Sequence, residues 1–320
     1  MRFRAILPAL VVMLTLAACD QTQIPMEPLE TAGPAAAPIS FTMLGPADAV
    51  NVAAGATVSL TGVFFTGGWG SGLVVSPSTV VDGVFFPRGT QWDQGPVWWD
   101  ARDGEPRYVT VALDGTYRIY AFIAQVDDND AYILSYWNGG WTTAWLVPNY
   151  NALGWGMQTR PNPDDDTERY VLPTPIVADA LRLELDLTST DRLGSVSELQ
   201  AFGVRILDVD IKPGSFPNSI NRRSKGVVPV AILGSADFDV GDVNVSTLEF
   251  GPGNAAPAHD LMGGAYFGHL QDVNSDGYID LVSHYRQREA GFTGGEVEAC
   301  LTGETTGGIP FEGCDSVRIL

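Results

Sequence analysis

The sequence has little positive charge. Lysine and arginine together number 18 against 38 aspartates and glutamates, so the formal net charge at pH 7 is −20. Phosphate backbones and anionic lipid surfaces repel a chain this acidic, and we therefore expect no nucleic-acid partner. The chain has only two lysines, Lys212 and Lys225, and both lie in its last third.

Long hydrophobic runs are also missing beyond the N-terminus, where no segment approaches the roughly 18–20 apolar residues of a transmembrane helix. At the N-terminus, Arg2 and Arg4 precede a short apolar stretch, a pattern typical of a secretory signal. The following Leu16-Ala-Ala-Cys19 resembles a bacterial lipobox, in which the cysteine is diacylated and becomes the mature N-terminus. The alternative is an ordinary signal whose cleavage site happens to precede a cysteine.

We therefore expect residues 1–18 to be a lipoprotein signal peptide and Cys19 to carry the lipid. Residues 19–46 are rich in proline, alanine and threonine, which predicts a flexible tether. The expected location is the bacterial cell envelope, with the lipid anchor as the only membrane contact, at the periplasmic face of the outer membrane or at the cell surface.

Cysteine is scarce, since only Cys300 and Cys314 follow Cys19. Two cysteines close in sequence, in an exported protein, predict one disulfide bond. The alternative is a pair of reduced, buried thiols.

Recognisable catalytic sets are absent from the sequence. His259, His269 and His284 are scattered in the sequence and form neither a His-x-x-x-His nor a His-Glu-x-x-His zinc-binding motif. No Gly-x-Ser-x-Gly elbow or phosphate-binding glycine loop occurs. We therefore predict structural histidines, no catalytic residues and no enzymatic activity. A glycosidase with paired carboxylates stays an alternative, because the separation of acids in space is not visible in a sequence.

The sequence also has no pattern typical of a long amphipathic helix. Its patterns are instead typical of β-strands. Residues 181–187 alternate apolar and polar side chains, which is typical of a strand with one buried face. Asp114-Gly115 and Asn138-Gly139-Gly140 each separate two alternating runs and predict β-hairpins. These patterns predict an all-β protein.

A change in composition near residue 205 predicts two β-sandwich domains, residues 47–204 and a smaller one at 205–320. All eight tryptophans precede this point, whereas both lysines and an aspartate-rich loop follow it. The length of the chain suits two domains of ordinary size.

Residues 47–204 resemble the discoidin, or coagulation-factor type C, branch of the galactose-binding-like jelly rolls. The resemblance rests on five segments, at 80–84, 89–92, 97–99, 108–119 and 197–203. It implies a structural Ca²⁺ held by Asp82, a carbonyl near Thr90, and Glu198. The alternative is that Asp82 is a turn residue and Glu198 an exposed strand residue.

The same resemblance implies a carbohydrate ligand, or a lipid head group or protein, bound by loops at one end of the sandwich. Sugars need an aromatic platform beside charged or amide groups. Trp69, Asn151, Trp155 and Arg160 lie in loop-like segments and are the candidates. Packing in the core is the alternative for each tryptophan, and Trp92, Trp98 and Trp99 are expected to pack in the core or along its edge.

In residues 205–320, the run from Asp272 to Asp280 has calcium-loop spacing. Oxygen ligands fall at loop positions 1, 3, 5 and 9 in Asp272, Asn274, Asp276 and Asp280, and Tyr278 offers its carbonyl at position 7. Position 12 is Ser283 instead of the glutamate of a helical EF-hand, so the loop resembles the calcium loops between strands of FG-GAP-type repeats. The alternative is a solvated turn.

This second region also resembles a module of many bacterial secreted proteins. The resemblance rests on segments 209–214, 217–221, 224–234, 238–240, 247–251 and 301–305. It implies a β-sandwich with a calcium loop between two strands and no established activity.

The sequence therefore predicts a lipid-anchored, extracytoplasmic binding protein stabilised by Ca²⁺, with carbohydrate as the ligand of its first domain. A structural or adhesive protein that binds another protein, and no glycan, is the alternative. The oligomeric state is not predicted.

Overall fold

The structure is a computed structural model, and it describes residues 44–69, 73–150, 156–188, 191–261 and 268–320. These residues belong to one compact unit, Pro38–Leu320. The expected signal peptide, Cys19 and most of the tether lie outside the described residues, as do Asn151 and Trp155. Within the described ranges no helix has the length and apolar character to cross a membrane.

Strands dominate the described residues, which confirms the prediction of an all-β fold. Two short 3-10 helices accompany them, at Pro77–Val81 and Val240–Asp242. The strands of the first half are β1 (Val50–Asn51), β2 (Thr57–Thr61), β3 (Val97–Asp100), β4 (Tyr108–Asp127), β5 (Tyr132–Trp137), β6 (Trp141–Val147), β7 (Met157–Arg160), β8 (Tyr170–Leu185) and β9 (Leu193–Ile206). Those of the second half are β10 (Val209–Ile211), β11 (Ser219–Ile220), β12 (Val227–Ile232), β13 (Val243–Phe250), β14 (Leu270–Gln271), β15 (Asp280–Arg286), β16 (Glu298–Thr305), β17 (Pro310–Ser316) and β18 (Arg318–Ile319).

Strand β4 is the centre of the first half. Its first part pairs with β2 and β8, and its second part pairs with β9 and β7. The hairpin predicted at Asp114-Gly115 is therefore wrong, because β4 continues through these residues. The register against β8 shifts between Ala112 and Tyr117, so the turn signal marks a bulge in one long strand.

The second predicted hairpin is present. β5 and β6 pair antiparallel up to Trp137 and Trp141, which lie opposite each other across the turn. Gly139 has a φ of 69°, a left-handed conformation that glycine adopts without steric cost.

The core of the first half lies between the strands that β4 organises. Alternation in β8 buries Leu181, Leu183 and Leu185 and leaves the residues between them half-buried, as the sequence pattern predicts. Trp99 is fully buried in this core, where it contacts Phe64 and Tyr132. Burial of each large apolar side chain contributes about 1.5–3 kcal/mol.

The second half has its own core, formed by residues between Leu207 and Phe311. One four-stranded sheet has the order β10-β12-β15-β14, and β13, β16 and β17 pair in sequence beside it. Cys300 on β16 and Cys314 on β17 lie opposite each other and form a disulfide bond, which confirms the predicted pairing.

Strand pairing continues from one half to the other. β17 pairs in parallel with the end of β9, through Phe311 with Arg205 and Glu312 with Ile206. The described residues thus contain two cores joined by continuous backbone pairing, and the division into domains at 47–204 and 205–320 stays a prediction.

Candidate functional site

Trp69 is the exposed outer ring of a cluster of stacked aromatic side chains in the first half. Alternation along β3 directs Trp99 into the core and Trp98 to the opposite face of the strand. There Trp98 stacks on Phe65 with centroids 4.5 Å apart and on Trp69 with centroids 5.2 Å apart. Trp92 meets both Trp69 and Trp98 edge-on, at 6.3 and 5.0 Å.

Backbone contacts hold this stack in place. Phe65 and Trp98 exchange two backbone hydrogen bonds, and the Trp98 indole N–H donates to the Gly67 carbonyl at 3.1 Å. The buried Asp93 carboxylate accepts the Trp69 backbone N–H at 3.1 Å. Trp98 is 2% exposed and Trp69 is 59% exposed, so the stack presents one large ring to solvent on an ordered support.

Polar groups surround the exposed ring. The Arg102 guanidinium carbon lies 5.5 Å from the centroid of the Trp69 ring. Both Asp100 oxygens accept from Arg102, at 2.9 and 2.6 Å, in a bidentate pair at the surface. The exposed Gln94 side chain donates to Asp93 beside the ring. We call Trp69, Trp92, Gln94, Asp100 and Arg102 the Trp69 surface.

Of the other predicted ligand residues, Arg160 is not in an exposed loop. It ends β7 and is fully buried, because its guanidinium donates to the carbonyls of Pro148, Gln158 and Asp127 at 2.7, 2.9 and 3.1 Å. Burial lowers the Arg160 pKa to about 10, so the side chain stays charged at neutral pH. Its donors bind backbone within the protein, so it is a structural cation.

The structure brings Glu198 and Asp82 together. Glu198 is fully buried on β9, and its Oε2 accepts the backbone N–H of Gly83, the residue after Asp82. Gln125, opposite Glu198 on β4, fixes this loop by accepting from the Phe86 N–H at 2.7 Å and donating to its carbonyl at 3.0 Å. The alternative, that Glu198 is an exposed strand residue, is therefore wrong.

The charge at this place suits a cation. Burial raises the Glu198 pKa to about 7; hydrogen bonds from Gln200 and Gly83 offset part of this effect, and the negative charge of Asp82 contributes to the rise. Two neighbouring carboxylates, one of them buried, offer oxygen ligands of the kind that Ca²⁺ prefers. The Thr90 carbonyl accepts the Met157 N–H at 2.8 Å.

A group of buried carboxylates at the end of β4 was not foreseen. Asp127 and Asp130 are almost fully buried, and in the described part of the chain no donor reaches Oδ2 of Asp127 or Oδ1 of Asp130. Burial raises the Asp127 pKa well above its ordinary value, and the charge of Asp130 adds to the effect. Burial and contact with Asp191 raise the Asp130 pKa to about 7. The only sequence signal for this group is the run Asp-Asp-Asn-Asp at residues 127–130.

In the second half, the loop at residues 272–280 folds around its own backbone. Asp272 accepts the N–H groups of Asp276 and Gly277 at 3.2 and 3.1 Å, and Asn274 accepts that of Asp276 at 3.1 Å. Asp276 in turn accepts the Tyr278 N–H at 2.8 Å. Gly277 has a φ of 95°, which allows this tight turn. The first three predicted ligands thus converge on one short loop.

Asp280 has a different role in the same loop. It begins β15, is fully buried, and accepts the Gly234 N–H at 2.9 Å and the Val273 N–H at 2.8 Å. It therefore fastens the start of the loop to the end of β12. The oxygen-rich donor set of this loop fits a hard cation such as Ca²⁺.

No protein-family model and no curated protein matches this chain. Solved carbohydrate-binding modules do match it. The family 32 module of Streptococcus pneumoniae EndoD is 16% identical, with 48% of this chain and 98% of that module covered and a TM-score of 0.29. CpGH89CBM32-6 of Clostridium perfringens is 15% identical, with 48% and 99% covered and a TM-score of 0.29.

A third neighbour is chitosan-binding module 2, solved with chitotriose, from a chitosanase/glucanase of Paenibacillus sp. IK-5. It is 14% identical, with 47% of this chain and 98% of the module covered and a TM-score of 0.31. Each likeness spans about half of this chain and nearly all of the module.

Proposed function

We propose that the protein is a lipid-anchored, calcium-stabilised binding protein outside the cytoplasm, and that it binds carbohydrate through the Trp69 surface without catalysing a reaction. The observation that carries this proposal is the exposed Trp69 ring, stacked on buried Trp98 and flanked by the Arg102–Asp100 pair.

The chemistry of this surface matches that of a sugar. The C–H face of a pyranose packs on an indole ring, a contact that contributes about 0.5–1.5 kcal/mol beyond area burial for comparable aromatic contacts. Arg102 donates, Asp100 accepts and Gln94 does both, so together they match a rim of hydroxyl groups. Since Trp98 and Asp93 already hold Trp69, little conformational entropy is lost on binding.

Exposed apolar side chains support the second candidate, an adhesive protein that binds another protein. Leu73, Val74 and Val84 follow Trp69 in sequence and are 65%, 90% and 59% exposed. Exposed apolar side chains are also found at protein interfaces. This candidate requires no sugar and no particular role for Arg102.

A glycan array probed with purified residues 38–320 separates the two candidates. Carbohydrate binding predicts saturable binding to at least one glycan and its loss in the Trp69→Ala variant. Trp141→Ala is the matched control, because Trp141 lies on β6 at the opposite edge of the sheet and packs against Trp137 and Arg182. Binding to no glycan, or equal binding by both variants, contradicts the proposal.

Calcium binding by the 272–280 loop and by Asp82 with Glu198 is the second part of the proposal. Their carboxylates lie close together, and a bound cation would offset the repulsion between them. Chelation with EGTA is expected to lower the melting temperature of the purified protein, and an unchanged melt contradicts this part.

Anchoring through Cys19 is the third part of the proposal. A full-length protein with Cys19→Ser is expected to lose labelling by radioactive palmitate and to leave the membrane fraction. Retention of the label by this variant contradicts lipidation at Cys19.

A further inference from the structure

Three histidines that are distant in sequence lie together in the second half. The ring centroids of His259 and His284 are 5.4 Å apart, those of His269 and His284 are 5.9 Å apart, and those of His259 and His269 are 6.5 Å apart. Although these residues are scattered in the sequence, the fold brings their rings together. No zinc-binding spacing announces the cluster, because each histidine comes from a different segment.

Strand pairing positions all three rings. His284 lies on β15, and its carbonyl accepts the Ala258 N–H at 2.7 Å, which holds the segment of His259 beside that strand. His269 precedes β14, which pairs with β15 through Leu270 and Leu281. The cluster is therefore built on the ordered edge of the β10-β12-β15-β14 sheet.

The spacing is close to that of a metal site. A zinc–nitrogen bond of about 2.0–2.1 Å places each imidazole centroid about 3.2 Å from the ion, and tetrahedral angles then separate the centroids by about 5 Å. The observed separations of 5.4–6.5 Å exceed this value slightly. Rotation of the side chains is needed to bring the three rings to coordination distance, and His259 has room to move because it is exposed.

The ring nitrogens are also suited to coordination. Nδ1 of His269 lies 2.8 Å from the Val282 carbonyl, and an Nδ1–H donated there leaves the Nε2 lone pair for a metal. Nδ1 of His284 is buried and has no hydrogen-bond partner in the described part of the chain.

We propose that His259, His269 and His284 form a binding site for a divalent transition metal such as Zn²⁺. Imidazole nitrogens select such ions over Ca²⁺, which prefers oxygen. Three protein nitrogens fill three of the four positions of tetrahedral zinc, and the fourth falls to water or to a further ligand. The site is distinct from the 272–280 loop and independent of carbohydrate binding.

Calorimetric titration of Zn²⁺ into residues 38–320 tests the proposal. The protein must carry no polyhistidine tag, and excess calcium must be present so that the oxygen sites are filled. One saturable zinc per chain is expected, with affinity at least about tenfold weaker in His259→Ala and in His284→Ala. Arg286→Ala, an exposed change on the same strand as His284, is the matched control and is expected to bind as the wild type does.

Cobalt provides a readout that a purely structural role for the histidines would not give. Co²⁺ in place of Zn²⁺ is expected to produce the strong visible absorption of tetrahedral nitrogen coordination, and His259→Ala is expected to remove it. Because His259 is exposed, this variant is expected to fold, and its melting curve checks that it does. Absence of saturable zinc binding, or unchanged affinity and cobalt spectrum in His259→Ala, overturns the proposal.

Discussion

Glu198 lies where β9 passes the turn that contains Asp82, and its carboxylate is fully buried there. Its pKa of about 7 means that it is largely ionised at pH 8, where an unpaired buried charge destabilises the folded state. Replacement by glutamine removes the charge and keeps the shape. We therefore expect Glu198→Gln to melt no lower than the wild type in EGTA at pH 8, and to gain less stability when calcium is added.

The exposed Glu249→Gln is the control for this charge change, and it is expected to keep the full calcium response. Differential scanning calorimetry with and without calcium measures both variants. An equal calcium response in Glu198→Gln and the wild type contradicts a calcium ligand at this position.

Asp130 gives a pH dependence of a definite sign. Its folded-state pKa of about 7 exceeds the ordinary aspartate value, so the folded state binds a proton more tightly than the unfolded state. The free energy of unfolding contributed by this group is therefore fully present below about pH 4 and is lost as the pH rises through about 7. Asp130→Asn removes this titration.

In calcium-free urea denaturation we expect the stability of Asp130→Asn relative to the wild type to increase from pH 5 to pH 8. The expected increase is on the order of 1–3 kcal/mol. Asp166, which is exposed and lies outside this carboxylate group, supplies the control Asp166→Asn. A difference between Asp130→Asn and the wild type that is constant with pH contradicts the raised pKa.

Within the loop at 272–280, two aspartates separate the effect of metal binding from that of backbone anchoring. Asp276 is exposed and, among the described residues, its side chain bonds only within the loop, so Asp276→Asn is expected to leave the melt in EGTA unchanged and to weaken the calcium response. Asp280 satisfies the N–H groups of Gly234 and Val273 from a buried position. Asp280→Ala leaves both donors unpaired and is expected to cost about 2–4 kcal/mol with or without calcium.

Thermal melts of the two variants in EGTA and in calcium make the comparison. Equal destabilisation of both variants in EGTA contradicts the division of roles between Asp276 and Asp280. A full calcium response in Asp276→Asn contradicts the loop as a cation site.

Strands and turns could be predicted from the sequence where neighbouring residues alone determine them. The alternation of residues 181–187 and the turn at Asn138-Gly139-Gly140 depend on neighbours in sequence, and both predict the strands that form. Asp114-Gly115 has the same local signal but lies in a bulge, because β8 and β9 flank β4 and the Arg205 guanidinium donates to the Asp114 carbonyl. Contacts with residues distant in sequence decide the structure here, and a local sequence pattern carries no information about them.

The site residues likewise divide into those positioned by neighbouring residues and those positioned by contacts distant in sequence. The spacing of Asp272, Asn274 and Asp276 predicts a tight loop, and these side chains do accept hydrogen bonds from the loop's own backbone. Calcium binding there stays a prediction, because a solvated turn would make the same bonds. Arg160 was misplaced because two of its three carbonyl partners, Pro148 and Asp127, lie on other segments of the chain. The histidine cluster was missed because β14 and β15 must pair before its rings meet.

For the whole molecule, contacts between the two halves decide whether they unfold together. Glu312 on β17 is 1% exposed on its side chain, accepts from Arg118 on β4 at 2.6 Å, and also accepts the Leu44 N–H at 2.9 Å. Arg205 donates to the carbonyls of Asp114 and Asp237, at 2.7 and 2.8 Å, and so bonds both halves. Together with the β9–β17 pairing, these contacts couple the two cores.

We therefore expect residues 38–320 to unfold in one cooperative thermal transition, with calorimetric and van't Hoff enthalpies in agreement. Glu312→Gln leaves the charge of Arg118 without its buried partner, and the expected cost is about 3–5 kcal/mol, seen as a lower melting temperature. Exposed Glu304→Gln on neighbouring β16 is the matched control and is expected to melt as the wild type does. Two separate transitions in the wild type, at temperatures that Glu312→Gln does not change, would show that each half unfolds alone and that the pairing of β9 with β17 adds little to stability.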